Sequence, residues 1–115
     1  MHEYSIVQSL LDRVEEVAHT RGATSVHKLR VRIGELSGVE VPLLESAFDL
    51  FRKGSLCQAA ELEVEAVAAC WACPRCGKAV PRGQFLRCPD CGLPARLQAG
   101  DEIILDRIEM EVPDV

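Results

Sequence analysis

Two near-identical stretches of five residues constrain this chain more than any other feature. They read Cys-Pro-Arg-Cys-Gly at residues 73–77 and Cys-Pro-Asp-Cys-Gly at residues 88–92, and we call each of them a knuckle. Two cysteines three positions apart in a tight turn can present both sulfurs to one ion, and four thiolates complete the tetrahedral shell that zinc accepts. The predicted ligands of a structural zinc ion are Cys73, Cys76, Cys88 and Cys91.

The other two cysteines have less definite predictions. Cys70 is spaced from Cys73 like a knuckle pair but lacks the Pro and the Gly, so it is either an alternative ligand or a buried thiol. Cys57 is isolated in the sequence, and we expect a small apolar core residue. A redox dithiol is the alternative for either Cys-x-x-Cys, although such motifs come singly in a βαβ setting.

Charge and hydropathy limit the partners and the location. The formal net charge is −5 at pH 7, so the chain as a whole lacks the basic footprint of a nucleic-acid-binding protein. No stretch has transmembrane length and no signal peptide is visible, so we expect no membrane partner and a cytoplasmic location. In a reducing compartment, six cysteines in a chain of 115 residues favour metal binding over disulfides.

Periodicity predicts two helices outside the cysteine-rich stretch. Apolar residues recur at three- and four-residue steps from Ile6 to Ala18, and Ser5 and Gln8 occupy the positions of a capping box. We therefore expect the first helix to start at Ser5. Pro42 fits the first turn of a second amphipathic helix, which ends before Lys53-Gly54.

Three segments alternate apolar and charged residues, as half-buried strands do. Residues 28–33 have a basic polar face, residues 61–66 an acidic one and residues 107–112 a mixed one. We expect the basic and the acidic strand to be neighbours, because opposite charges across strands attract. The predicted fold is α+β: a small three-stranded mixed sheet with two helices, carrying an inserted zinc-ribbon-like module with four cysteine ligands. The predicted division is a body of residues 1–68 plus 99–115 and a zinc-binding module of residues 69–98.

The first three residues, Met1, His2 and Glu3, offer a second kind of metal site. The α-amine, the His2 amide nitrogen and its imidazole can form fused chelate rings on one ion, and the Glu3 amide can complete a plane. Planar nitrogen donors suit Ni(II) or Cu(II) rather than zinc. Such a site needs the terminal amine itself and a neutral imidazole, so it should weaken when residues are added before Met1 and when the pH falls.

Five segments spread over the whole chain also carry a family resemblance. They are residues 1–5, Ile33-Gly34-Glu35, Val39-Glu40, Ser46-Ala47-Phe48 and the double knuckle. Together they resemble the HypA/HybF family of hydrogenase nickel-incorporation proteins.

That resemblance implies a nickel metallochaperone rather than an enzyme. It implies delivery of Ni(II), as a transient cargo, to the precursor of the [NiFe] hydrogenase large subunit, with a HypB-like GTPase as partner. In some organisms it also implies urease maturation proteins as partners. Carried onto this chain, His2 is the central nickel ligand, and Met1 and Glu3 supply terminal and backbone nitrogens. Glu40, where family members can carry Asp, is a further candidate beside the nickel site.

A zinc-ribbon adaptor that binds nucleic acid or protein is the alternative function. The knuckles are surrounded by a basic excess, in which one acidic residue, Asp90, opposes Arg75, Lys78, Arg82, Arg87 and Arg96. Only Trp71 and Phe85 are available there for stacking on bases, so the sequence favours no nucleic-acid partner. For His19 and His27 we expect ordinary packing and no metal.

Overall fold

The protein is described by a computed structural model that covers residues 2–83 and 85–113. The elements in chain order are α1 (Glu3–Thr20), β1 (Ser25–Gly34), α2 (Val41–Phe51), β2 (Glu61–Val67), β3 (Cys70–Ala72), β4 (Ala79–Val80), β5 (Arg96–Ala99) and β6 (Ile103–Glu111). Strands β2, β1 and β6 form one three-stranded sheet in that order, and β4, β3 and β5 form a second. The predicted α+β fold is confirmed. We call the first sheet with its two helices the body, and the second sheet with its knuckles the cysteine-rich module.

The body's sheet is mixed, with β1 in the centre. β1 runs parallel to β2 and antiparallel to β6. The predicted pairing of the basic and the acidic strand is confirmed, because Lys28 Nζ lies 2.9 Å from a Glu63 oxygen and Arg30 Nη2 lies 2.7 Å from a Glu65 oxygen. These charges line one face of the sheet, and they leave the opposite face for apolar packing.

Both helices pack against each other and against the apolar face of the sheet. Leu29 and Val31 of β1 are fully buried under Leu44 and Phe48 of α2 and the apolar stripe of α1. Pro42 lies in the first turn of α2, where its missing N–H costs no helical hydrogen bond. One continuous hydrophobic core therefore holds the body together.

Three predicted boundaries are wrong. Strand β1 begins at Ser25 rather than at residue 28, because a register shift between Val26 and Lys28 interrupts the two-residue alternation. Helix α1 begins at Glu3 with His2 as its N-cap, so Ser5 lies inside the helix and caps nothing. The apolar stripe starts only at Ile6, and for that reason periodicity missed a first turn that a carboxylate stabilises through the helix dipole. Strand β6 begins at Ile103 rather than at residue 107, because a register shift around Asp106 interrupts the two-residue alternation.

The molecule is elongated. Its extents are 59 × 32 × 17 Å and its radius of gyration is 18.3 Å, against about 13 Å for a compact domain of this length. The body and the module have separate apolar clusters. We retain the division into residues 1–68 plus 99–115 and residues 69–98 as a proposal. Neither helix in the described part of the chain is long and apolar enough to cross a bilayer.

Candidate metal centres

The two knuckles bring four sulfur atoms together. The Sγ atoms of Cys73, Cys76, Cys88 and Cys91 all lie within 4.8 Å of one another. The Sγ atoms of Cys76 and Cys88, one from each knuckle, are 3.7 Å apart. A tetrahedron with zinc–sulfur bonds of about 2.3 Å has edges of about 3.8 Å. The four side chains therefore have the number, chemistry and spacing that one tetrahedral ion requires.

The two knuckles have the same backbone geometry. The Gly77 amide donates a hydrogen bond to the Cys73 carbonyl at 2.9 Å, and the Gly92 amide donates to the Cys88 carbonyl at 2.8 Å. Both glycines have a positive φ, 76° and 69°, which a side chain would disfavour. The repeated Gly therefore closes each turn, and both cysteine sulfurs of each knuckle lie in the same cluster.

Backbone amides also point at the sulfurs. Hydrogen bonds from the backbone amide of Cys76, and then of Arg75, lower the pKa of the Cys73 thiol to about 7. Burial, followed by the neighbouring sulfurs, raises the pKa of Cys91 to about 12. One thiolate is thus favoured by N–H donors, whereas a cluster of thiolates without a cation is disfavoured. A bound divalent cation would remove that repulsion and hold the ligands deprotonated.

The remaining cysteines lie outside this cluster. Cys57 is fully buried in the body, where burial raises the pKa of its thiol to about 11, so its predicted place in the core is confirmed. Cys70 is exposed at the start of β3. The buried-thiol prediction for Cys70 is wrong, because β3 begins at the surface with this residue, and Cys70 is absent from the four-sulfur cluster.

The amino-terminal candidate residues are only partly described. Met1 lies outside the described residues, so its predicted terminal amine stays a prediction. His2 is exposed at the N-cap of α1, and its carbonyl accepts a hydrogen bond from the Ile6 amide at 3.0 Å. An α-helix leaves its first four N–H groups without an intrahelical acceptor. A metal held by the backbone nitrogens of His2 and Glu3 would therefore break no main-chain hydrogen bond of the helix, and it would take the Glu3 amide from the carboxylate of the same residue.

Glu3 and Glu40 are brought together, although 37 positions separate them. Glu3 is only 3% exposed, and its Oε2 atom accepts a hydrogen bond from the Glu40 amide at 3.1 Å. That bond, together with the amide of Glu3 itself, lowers the pKa of the Glu3 carboxyl. Glu40 is the N-cap residue of α2. The Glu3 carboxylate thus ties the start of α1 to the start of α2, a role that the sequence analysis did not assign to it.

The structure also pairs two residues that sequence reasoning left apart. The Nη1 and Nη2 atoms of Arg82, in the module, donate to the two carboxylate oxygens of Glu35, in the body, at 2.7 and 2.6 Å. Hydrogen bonds from Arg82, and then from the Ala69 amide, lower the pKa of Glu35 to about 2. Lys78 is paired with Asp90 at 2.9 Å. The basic excess of the module is therefore smaller than the sequence suggested, which weakens the nucleic-acid-binding alternative.

Known proteins share both the sequence and the fold. The family model described as "Hydrogenase/urease nickel incorporation, metallochaperone, hypA" matches residues 1–110. The hydrogenase maturation factor HypA of Aquifex aeolicus is 43% identical over 114 residues, which are 97% of this chain and 99% of the relative. The HypA of Wolinella succinogenes is 43% identical over 117 residues, covering 99% of this chain and 98% of the relative.

A solved structure agrees with these sequence matches. The solution structure of the nickel metallochaperone HypA from Helicobacter pylori has a TM-score of 0.74 at 32% identity, and the match covers 98% of this chain and 100% of that one. Because the match covers nearly all of both chains, the similarity includes both the body and the cysteine-rich module. The chain therefore belongs to the HypA family of hydrogenase and urease nickel-incorporation metallochaperones, and it is a maturation factor rather than an enzyme.

Proposed function

We propose that this chain binds Ni(II) at its amino terminus and delivers it to the precursor of the [NiFe] hydrogenase large subunit. The observation that carries the proposal is the position of His2, which is exposed at the N-cap of α1. The donors are the Met1 amine, the amide and imidazole nitrogens of His2, and the Glu3 amide. Nitrogen donors in one plane suit Ni(II).

Glu3 and Glu40 support this site in different ways. The buried Glu3 carboxylate holds the first turn of α1 against the start of α2. This contact keeps an otherwise terminal segment in one place, as a coordination plane built from backbone nitrogens requires. Glu40, whose amide donates to Glu3, is itself exposed. Its carboxylate is therefore available as an additional oxygen ligand or as an acceptor for a ligand's proton.

The second metal of the proposal is Zn(II) in the four-cysteine cluster. The 3.7 Å separation of the Cys76 and Cys88 sulfurs supports tetrahedral coordination. Four protein ligands leave no open coordination position, so this ion is structural and does not meet nickel or any substrate. Thiolate ligands also need reducing conditions, which supports a cytoplasmic location.

The partners follow from the same family. The matching family model names both hydrogenase and urease nickel incorporation. We therefore propose a HypB-like GTPase and the hydrogenase large-subunit precursor as partners, with urease maturation proteins as additional recipients in an organism that makes urease. An exposed site at a chain terminus suits exchange, because an incoming ligand from the recipient can displace one donor at a time.

A titration of Ni(II) into the zinc-loaded chain tests the proposed site. The protein with its native amino terminus should bind nickel tightly, and both His2→Ala and a chain with one residue added before Met1 should lose that binding. His19→Ala is the matched control, because His19 is also an exposed histidine of α1 but lies near its other end. The nickel affinity of His19→Ala should equal that of the unmodified protein.

Two outcomes would contradict the proposal. Unchanged nickel affinity in the extended chain would exclude the terminal amine as a donor, and unchanged affinity in His2→Ala would exclude the imidazole. Delivery is tested separately by incubating the nickel-loaded chain with the purified large-subunit precursor and measuring nickel in the precursor. Wild-type transfer from His2→Ala would show that delivery uses a different site.

A further inference from the structure

The segment Ile33-Gly34-Glu35 carries part of the family resemblance, yet neither metal site uses it. The structure places it at the junction between the body and the cysteine-rich module, where β1 ends. The chain crosses this junction twice, at residues 68–69 on the way into the module and at residues 100–102 on the way back. The end of β1 lies between the two crossings.

Among the described residues, no buried apolar cluster spans the two parts of the molecule. The hydrophobic cluster of the body and that of the module share no residue. The molecule is also 59 Å long and only 17 Å thick, so the module projects from the body. Its orientation must therefore depend on polar and backbone contacts at the junction.

Backbone contacts fix the point at which the module joins the body. The Glu35 amide donates to the Val67 carbonyl at 2.9 Å, and the Leu36 amide donates to the Gly100 carbonyl at 2.6 Å. Gly34 packs so closely here that a Cβ atom would overlap the Gly100 carbonyl. These backbone bonds lie at the two crossings themselves.

The ion pair between Glu35 and Arg82 adds side-chain contacts at the first crossing, where Arg82 also donates to the Ala69 carbonyl at 3.4 Å. Arg82 follows β4, and its guanidinium packs 5.4 Å from the centre of the Trp71 ring in β3. Its two terminal nitrogens bind both oxygens of Glu35, and one of these oxygens also accepts the Ala69 amide at 2.9 Å. A planar guanidinium bound to a carboxylate in this forked manner fixes direction as well as distance. Within residues 2–83 and 85–113 it is the one ion pair that joins the module to the body.

The same loop leads from this ion pair to the amino terminus. Residues 35–40 begin with Glu35 at the junction and end with Glu40, whose amide donates to the Glu3 carboxylate at 3.1 Å. Ser5 and Ile6 of α1 lie beside Ile103, the residue that follows the second crossing. The module therefore projects from the end of the body at which the chain begins.

We propose that Glu35 and Arg82 form a latch that fixes the orientation of the cysteine-rich module on the body and so positions the module beside the amino-terminal residues. Glu35 and Arg82 are positioning residues, since neither belongs to the four-sulfur cluster nor to the amino-terminal donors. The orientation of the module does not depend on bound nickel. Only its relevance to nickel delivery rests on the proposed function.

Nuclear magnetic resonance relaxation of the zinc-loaded full-length chain, without nickel, tests the latch. In the unmodified protein the amides of the body and the module should share one rotational correlation time. In Glu35→Gln and in Arg82→Gln the module amides should tumble faster than those of the body. Because the two residues act as a pair, the difference in correlation time between module and body should be no larger in the double variant than in either single variant. Zinc content measured in each variant establishes that the module is still folded.

Lys78→Gln is the matched control. Lys78 has the same exposed side-chain fraction as Arg82, 57%, and also has a single carboxylate partner at close range, but that partner is Asp90 within the module. Lys78→Gln should tumble like the unmodified protein. The latch would be overturned if the body and the module kept one common correlation time in Glu35→Gln and Arg82→Gln. It would also be overturned if the module of Lys78→Gln tumbled as fast as the modules of those two variants. Since no nickel is present, either result would leave the nickel proposal standing.

Discussion

The body and the cysteine-rich module are stabilised by different means. The body buries a continuous set of apolar side chains from both helices and from the central strand, among them Phe48, Leu29 and Val14. Among the described residues of the module, the buried cluster consists of Cys73, Val80 and Cys88, with Trp71 and Ala95 packed beside it. Two of the three buried residues are cysteines of the four-sulfur cluster.

This difference follows from size. A segment of about 30 residues cannot remove enough apolar surface from water to offset the entropy of ordering its chain, so small modules depend on a metal or on disulfides. The body is large enough to rely on the hydrophobic effect. We therefore expect that one part of the chain folds with its hydrophobic core and that the other folds with the proposed ion.

The chain carries natural reporters for the two parts. Its single tryptophan, Trp71, lies in the module, whereas both helices lie in the body. Tryptophan fluorescence consequently follows the module, and helical circular dichroism follows the body. The comparison between the two parts can be tested with both signals in one sample.

Removal of the metal should have the largest effect. A structural zinc site contributes about 10–16 kcal/mol to the folding of a small zinc-finger peptide, far more than the few apolar contacts of this module. A strong chelator, or the substitution Cys88→Ser, should shift the Trp71 emission towards that of a solvent-exposed indole while the helical signal persists. Circular dichroism and fluorescence recorded together check this.

Cys70→Ser is the control for that experiment. Cys70 lies at the surface outside the four-sulfur cluster, so its loss should leave metal content and Trp71 emission unchanged. Loss of the helical signal along with the module signal would show that the body also depends on the metal, and it would contradict the comparison.

A cavity in the core of the body should have the opposite signature. Phe48 is fully buried in α2, and replacing a buried Phe by Ala costs about 3–5 kcal/mol. Phe48→Ala should lower the midpoint of urea unfolding followed by circular dichroism and leave the Trp71 transition in place. Leu50→Ala, on the exposed side of the same helix, should change the free energy of unfolding by about 0.5 kcal/mol or less. A Trp71 transition that moves together with the helical one would mean that the two parts unfold as one unit.

The sequence predicted the parts better than their connection. Periodicity located both helices and the three strands of the body's sheet because each has one apolar face towards the core, and the repeated knuckle located the four cysteines because paired cysteines at this spacing suit one ion. Local patterns carry that information. The pairing of basic β1 with acidic β2 was also predictable, since charge complementarity is visible without coordinates.

The junction could not be predicted, because its contacts join residues far apart in the sequence. Glu35 and Arg82 are 47 positions apart, and each one alone looks like an ordinary surface charge. The same holds for the Glu3 carboxylate, whose partner is a backbone amide 37 positions away. Residues 33–35 did stand out through the family resemblance, but a resemblance gives no reason for a glycine next to a glutamate. The glycine is explained by the close approach of Gly100 and the glutamate by its ion pair with Arg82, and both contacts depend on the three-dimensional arrangement of the junction.

The smallest effect is expected at the charged face of the body's sheet. Glu65 accepts a hydrogen bond from Arg30 at 2.7 Å and lies 3.4 Å from Arg32 Nε. Its side chain is 37% exposed, so water and salt screen these attractions, and such a pair contributes at most about 1 kcal/mol. Glu65→Gln should lower the free energy of unfolding of the body by no more than that and leave the Trp71 signal unchanged.

Salt distinguishes this contribution from a packing effect. At an ionic strength of 1 M the screening length falls to about 3 Å, so the difference between Glu65→Gln and the unmodified protein should shrink in urea unfolding experiments at high salt. Glu45→Gln, exposed on α2, removes the same charge away from the sheet and should show little difference at either ionic strength. A cost for Glu65→Gln that persisted at high salt would mean that Glu65 stabilises β1 and β2 through packing. The charged face would then resemble the apolar core of the body more closely than its exposure suggests.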